Sequence, residues 1–218
     1  AHGLLFADPP PAAGIFSPAV CENGLSVFAR DTLVCAQIAG PDGIAGSGAY
    51  LDVERDIGFE YDGLNLKPLF DVDLGRRKTG YCYHSRKKNG GNDPALYVPK
   101  EAETSVLRDA RSFIEERLSV LNKAAKALDD SPVTTVIALP ASFFGQDWHE
   151  GFDWFDALAR EMAESSGISF SLPSDRLKIH KPEQIITPYY SSWNSGGYAE
   201  EVLNSSNDWM YPYVRKAT

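Results

Sequence analysis

The chain has 218 residues, with 21 Lys+Arg against 30 Asp+Glu and a formal charge of −9. Its 43% hydrophobic and 23% charged residues are ordinary globular composition, which excludes a disordered chain, and the length suits one large domain or two small ones. The acidic balance argues against nucleic acid or an anionic membrane as partner, since both need a basic face, and no apolar run approaches the roughly 18 residues of a membrane span.

Asp8-Pro9-Pro10-Pro11 keeps part of residues 1–24 out of helix interiors and central strands. Residues 25–29 read as a short strand closed by Arg30-Asp31. Gly40, Pro41, Gly43, Gly46 and Gly48 mark a loop. Residues 50–100 read as irregular, with Pro68, Pro94 and Pro99 and the turn-prone Asn89-Gly90-Gly91-Asn92-Asp93. Two basic runs fall there, Arg76-Arg77-Lys78 and Arg86-Lys87-Lys88; a solvated loop is the simpler reading and an anion site the sharper one. Across 101–129, Val106, Leu107, Ala110, Phe113, Ile114, Leu118, Leu121 and Leu128 recur at three- and four-residue spacing, which predicts an amphipathic helix ended by Asp129-Asp130-Ser131-Pro132. The nearly all-apolar, β-branched run 133–139 predicts a buried parallel strand stopped by Pro140. A second helix is predicted from about 152 to 165, with Phe152, Phe155, Leu158 and Met162 on its buried face and Gly167 as its stop. After a loop-rich stretch, a short helix is expected to begin at Asn207-Asp208, with Asp208 near its cap. Helix, strand, loop, helix is an α/β order.

Cys21, Cys35 and Cys82 have neither metal-like nor disulfide-framework spacing. They read as reduced thiols of a cytoplasmic protein, buried as small hydrophobes. His2, His84, His149 and His180 show no pairing for a metal, so neither metal nor cofactor is expected. The chain starts at Ala1 and shows no charged leader with an apolar core; a processed terminus and a piece of a longer polypeptide both fit. Aromatics make up 11% of the chain and many follow residue 140. Core packing explains most such enrichment, while flat rings that take the C–H face of a sugar are the functional alternative.

Chemistry in α/β folds gathers at the carboxyl ends of strands. There the chain reads Pro140-Ala141-Ser142-Phe143-Phe144-Gly145-Gln146-Asp147-Trp148-His149-Glu150-Gly151. Asp147, His149 and Glu150 within four positions suit acid–base work, and equally a polar loop capping the next helix.

This stretch, PASFFGQDWHEGF, resembles the DAELFGHWWFEGP pattern of glycoside hydrolase family 57 in its α-glucan branching-enzyme-like group, with Phe-Gly and Trp-x-Glu-Gly in register. The tail is similar to the family's SSWGxGGY…WLN…NDWIY through Ser191-Ser192-Trp193-Asn194-Ser195-Gly196-Gly197-Tyr198, Leu203-Asn204 and Asn207-Asp208-Trp209-Met210-Tyr211. Phe28-Ala29-Arg30-Asp31 is similar to its FxRD turn. Asp56-Ile57-Gly58-Phe59 with Arg76-Arg77-Lys78-Thr79-Gly80 is similar to its DIGF…RRNTG.

The resemblance implies an α/β fold: part of an incomplete (β/α)7 barrel over 1–170, then a loop and helical carboxyl-terminal segment over 171–218. It implies a place in α-glucan (starch or glycogen) metabolism and a retaining mechanism with two carboxylates, one a nucleophile and one an acid/base. The nucleophilic Glu belongs to a segment upstream of the one that Ala1-His2-Gly3-Leu4 resembles, and the acid/base Asp position is Pro140, which has no titratable group. Asp147 and Glu150 are the carboxylates left to rescue it. The family's QVW…GYPGD is similarly reduced to Gln37-Ile38-Ala39 and Gly43-Ile44-Ala45-Gly46-Ser47. Trp148, Gln146, Trp193, Phe144 and Gly145 are the expected substrate-binding positions, with Trp148 as the stacking residue. Three outcomes follow: part of an active α-glucan enzyme, a non-catalytic homologue that binds α-glucan, maltooligosaccharide or another protein, or a purely structural domain. Part of a barrel would leave sheet edges and apolar faces to be covered by a missing amino-terminal segment or a second copy.

Overall fold

The computed structural model describes residues 4, 6–71, 74–89, 93–165, 167–189 and 204–217, with the backbone alone for 88, 89 and 93. In chain order the elements are β1 (Ala19–Val20), β2 (Ser26–Val27), α1 (Thr32–Ala39), α2 (Ile57–Glu60), α3 (Gly63–Leu66), β3 (His84–Asn89), β4 (Asp93–Leu96), α4 (Pro99–Ala127), α5 (Gly151–Glu164), α6 (Pro173–Ile179) and α7 (Tyr211–Ala217). The chain divides into two compact units: one of Ala1–Thr32, Leu121–Ile137 and Ser171–Thr218, the other of Leu33–Val120 and Ala138–Phe170.

In the first unit, β1 and β2 pair antiparallel, Ala19 opposite Val27 and Val20 opposite Ser26. The strand expected at 25–29 is thus two residues long. Leu4, Ala7, Ala19, Ala29 and Ile186 form a small core beside it. The buried strand expected at 133–139 does not form as a ladder. Among the described residues its backbone makes one parallel bridge, Val136 to Arg30, and one further backbone–backbone hydrogen bond, in which Thr134 N donates to Phe16 O at 2.8 Å. A strand needs a neighbour along its whole length, and here the run meets isolated residues, so Ile137 stays 38% exposed. Asp31, 4% exposed, accepts the Thr135 hydroxyl at 3.0 Å. The Arg176 guanidinium of α6 holds the run's start, donating to Thr134 Oγ1 and Pro132 O, both at 2.7 Å. The terminal helix is preceded by a 3₁₀ turn, Asp208–Met210, with Asn207 in the N-cap position, where it makes no side-chain capping bond.

The second unit holds the larger core. Ala102, Val106, Ala110, Phe113 and Ile114 of α4 pack with Val34 and Ile38 of α1, with Trp154, Ala157 and Leu158 of α5, and with Tyr50 and Trp148. The α4 stripe falls where its 3.6-residue period places it, except that Leu107 is 53% exposed. Asp129 and Asp130 follow α4 with φ of 52° and 56°, the left-handed conformation that terminates a helix. On α5 the buried face is Trp154, Ala157 and Leu158. Phe152 and Phe155, expected on that face, are 64% and 46% exposed. Within 50–100, β3 and β4 form an antiparallel hairpin, His84 opposite Leu96. Among the described residues the sheets are these two antiparallel pairs, and no closed barrel is present. Cys35 is buried and its thiol donates to Ala138 O at 3.5 Å, whereas Cys21 and Cys82 are half-buried; all three are free thiols. Among the described residues no helix is long and apolar enough to cross a membrane.

Candidate functional site

The segment after Pro140 folds on itself. Phe143 N donates to Pro140 O at 3.1 Å, Gly145 N to Trp148 O at 2.8 Å and Trp148 N to Phe143 O at 3.1 Å. The reversal places Gly145 at φ 91°, a conformation that disfavours any Cβ, and a Cβ there would also meet the Phe152 ring at 3.3 Å. Gly151 opens α5 so close to the turn that a Cβ would lie 3.0 Å from Phe144 Cα. Phe-Gly and Glu-Gly are therefore spaced by packing.

Trp148 is fully buried. Its ring lies 5.5 Å from Tyr50, 5.3 Å from Trp154, 5.9 Å from Phe143 and 6.3 Å from Phe144, centroid to centroid. As folded, it offers no face to a sugar, which corrects the stacking role expected of it. A two-ring indole with 0% exposure serves as core. Gln146 and Asp147 are exposed on the turn, where Arg86 Nη2 donates to the Asp147 carbonyl at 3.2 Å. Glu150 is 2% exposed. It makes no capping bond to α5; Oε1 instead accepts from Leu51 N at 3.0 Å. Pro140 is exposed. Trp193 lies outside the described residues, as do His2 and the whole of the tail stretch 191–203.

Two phenols border this region. Burial and then the hydrogen bond to Asp109 (Oη to Oδ2, 2.8 Å) push the Tyr50 hydroxyl well above its ordinary value. Burial and then the neighbouring Glu150 carboxylate push Tyr97 up likewise. Both remain protonated donors throughout the neutral range.

Asp147 and Glu150 thus occupy unlike settings, one in solvent and one in the core. The groups whose exposure sequence reasoning missed are aromatic, Phe152, Phe155 and Phe170, and they adjoin the half-buried Phe144 that it named. Phe144 lies 6.1 Å from Phe152 and 6.1 Å from Phe155, and Phe155 lies 5.8 Å from Phe170, which is 58% exposed. The spacing of Trp154, Ala157 and Leu158 could have revealed this row, because three residues on one face leave Phe152 and Phe155 to the flank. Among the described residues no group of His, Cys, Asp or Glu is placed to hold a metal ion.

No protein-family model matches the sequence and no curated protein matches it. Solved structures do. The α-amylase AmyC from Thermotoga maritima is 26% identical and superposes with a TM-score of 0.82 over 99% of this chain and 40% of that one. A GH57-type branching enzyme from Pyrococcus horikoshii is 23% identical, TM-score 0.75, over 94% of this chain and 35% of that one. A GH57 branching enzyme from Thermococcus kodakaraensis, solved with glucose, is 19% identical, TM-score 0.74, over 93% and 34%. The chain spans well under half of each. Its resemblance to the carboxyl-terminal part of branching-enzyme-like glycoside hydrolase family 57 proteins, read first from motifs, holds at the level of structure.

Proposed function

We propose that this chain is a family-57-like protein of α-glucan metabolism that binds α-glucan or maltooligosaccharide and lacks glycosidase chemistry at the position of the family's acid/base. The fold likeness supports the family setting, and one observation carries the rest: the residue at the position that the motif resemblance gives to the acid/base is Pro140, while an exposed aromatic row remains beside the turn that follows it. A retaining glycosidase sets its two carboxyls about 5–5.5 Å apart, one of them able to give and retake a proton. Proline does neither. Buried Glu150, already accepting from Leu51, and solvated Asp147 are poor replacements. In this reading residues 1–170 belong to an incomplete (β/α)7 barrel, with a loop and helical segment at 171–218.

Phe144, Phe152 and Phe155 supply flat apolar surface of the kind that takes the C–H face of a pyranose. Gln146, exposed next to Gly145, supplies a donor and an acceptor for hydroxyls. Calorimetric titration with maltoheptaose tests this. Saturable binding is expected, weakened by roughly three- to tenfold in Phe152→Ala and in Phe155→Ala, with an unfolding free energy within about 0.5 kcal/mol of the parent for Phe152→Ala, whose ring is 64% exposed, and a loss of about 1 kcal/mol for Phe155→Ala, which is 46% exposed. No binding, or binding indifferent to both substitutions, contradicts the assignment. The same exposed rings favour a second reading, a protein-interaction surface, which predicts no sugar binding.

A further inference from the structure

A cavity of about 670 Å³ lies between the first turns of α4 and the first turns of α5. Its buried lining residues, Ala102, Val106, Glu150 and Ala157, make the floor, and the half-buried Tyr97 stands beside them. Leu107, 53% exposed, adds apolar surface at the rim. The charges around the cavity are unbalanced. Four carboxylates, Glu103, Glu150, Asp153 and Asp156, line it with two cations. Both cations are already paired, Lys100 with Glu103 at 3.5 Å and Arg160 with Asp156 at 2.8 Å. Glu150 and Asp153 are left with no ion pair among the described residues. The amino-terminal ends of the two helices offset roughly half a charge each, which leaves the balance negative.

Acidic groups at a rim are solvated and need no ligand. Glu150 differs, because it is 2% exposed. Its Oε1 accepts from Leu51 N at 3.0 Å. Its Oε2 is buried and has no hydrogen-bond partner, although the carboxylate is near enough to Tyr97 to push that phenol up. A carboxylate accepts at both oxygens, and one of them buried without a donor is costly. A donor that carries positive charge removes the cost best, since charge-assisted hydrogen bonds are the strong ones. An alkylammonium supplies three N–H donors on one compact charge, and its carbon stem suits Ala102, Val106, Leu107 and Ala157. A metal ion would need further ligands gathered around it, and among the described residues no such group exists.

We infer that this cavity binds a small aliphatic amine in its ammonium form, with Glu150 Oε2 accepting its N–H bonds and Asp153 adding charge at the rim. The inference stands without the glucan reading, whose sugar contacts are Phe144, Phe152, Phe155 and Gln146. The test is calorimetric titration of the full chain with n-butylamine hydrochloride at neutral pH, where an alkylamine is charged as lysine is. Ionic strength is held fixed, with sodium chloride and n-butanol as controls. Saturable binding of the amine is expected, weakened roughly tenfold or more in Glu150→Gln and about two- to threefold in Asp153→Asn, with butanol at least about tenfold weaker than the amine. Glutamine keeps an oxygen for Leu51 N, and the exposed Asp153 carries the test if Glu150→Gln fails to fold. Heat no different from sodium chloride, butanol bound as tightly as the amine, or amine affinity unchanged in the folded variants overturns the site.

Discussion

Replacing Asp56 with alanine is expected to lower the unfolding free energy by about 3–5 kcal/mol in denaturant titrations. Asp56 is 1% exposed. Its Oδ1 accepts from Gly58 N at 2.7 Å, Thr79 N at 3.0 Å and Thr79 Oγ1 at 2.8 Å, and its Oδ2 from Thr79 N at 2.9 Å and Gly80 N at 2.7 Å. One carboxylate therefore caps α2 and ties down the 79–80 turn. Alanine would strand three amides and a hydroxyl at once. Thr79→Val, which removes only the hydroxyl, should cost roughly 1 kcal/mol.

The same site sets a pH dependence. Burial alone would raise the Asp56 carboxyl, but the amides of Thr79 and Gly58, the Thr79 hydroxyl and the Gly80 amide outweigh it and hold the group below its ordinary value. The folded protein then binds this proton more weakly than the unfolded chain. Its contribution is complete above about pH 4 and is lost as pH falls through the depressed folded value. Asp56→Asn should flatten that acid limb. An acid limb unchanged in Asp56→Asn, or an Asp56→Ala loss under about 1 kcal/mol, would contradict the geometry.

Trp148→Ala is expected to cost a further large sum, about 3–5 kcal/mol, because it empties the middle of the aromatic core. Trp148→Phe should cost much less. Phenylalanine refills most of the volume, and the indole N–H it removes is buried without a hydrogen-bond partner among the described residues, so nothing polar is lost with it. A sugar-stacking Trp would behave oppositely, with stability preserved and oligosaccharide affinity falling. Measured side by side with Phe152→Ala, the two substitutions separate core from surface.

The α4 helix was legible because a 3.6-residue apolar period recurs from Val106 to Leu128, about six turns, and its Asp-Asp-Ser-Pro end names its own stop. The pair of motifs around Asp56 and Thr79 was legible as resemblance only. That they form one hydrogen-bonded knot depends on contacts 23 residues apart, which no local pattern encodes. The apolar run 133–139 has every local mark of a buried strand, yet pairing is a property of neighbours, and among the described residues its backbone pairs with the isolated residues Arg30, Asp31 and Phe16 rather than with a strand. Trp148 misled for a related reason. A loop position suggests exposure, whereas the left-handed turn at Gly145 folds the indole inward. α1 escaped notice because its eight residues, almost all apolar, show too weak a polar face to betray a helical period.

The proposal that the chain keeps a glycosidase scaffold without its acid is tested most directly by turnover. Incubated with amylose and followed by iodine staining and reducing-end assay, the protein is predicted to release no new ends and to leave the stain unchanged, at a protein concentration where maltoheptaose binding is measurable. Hydrolysis or chain transfer that disappears in Asp147→Asn would contradict it.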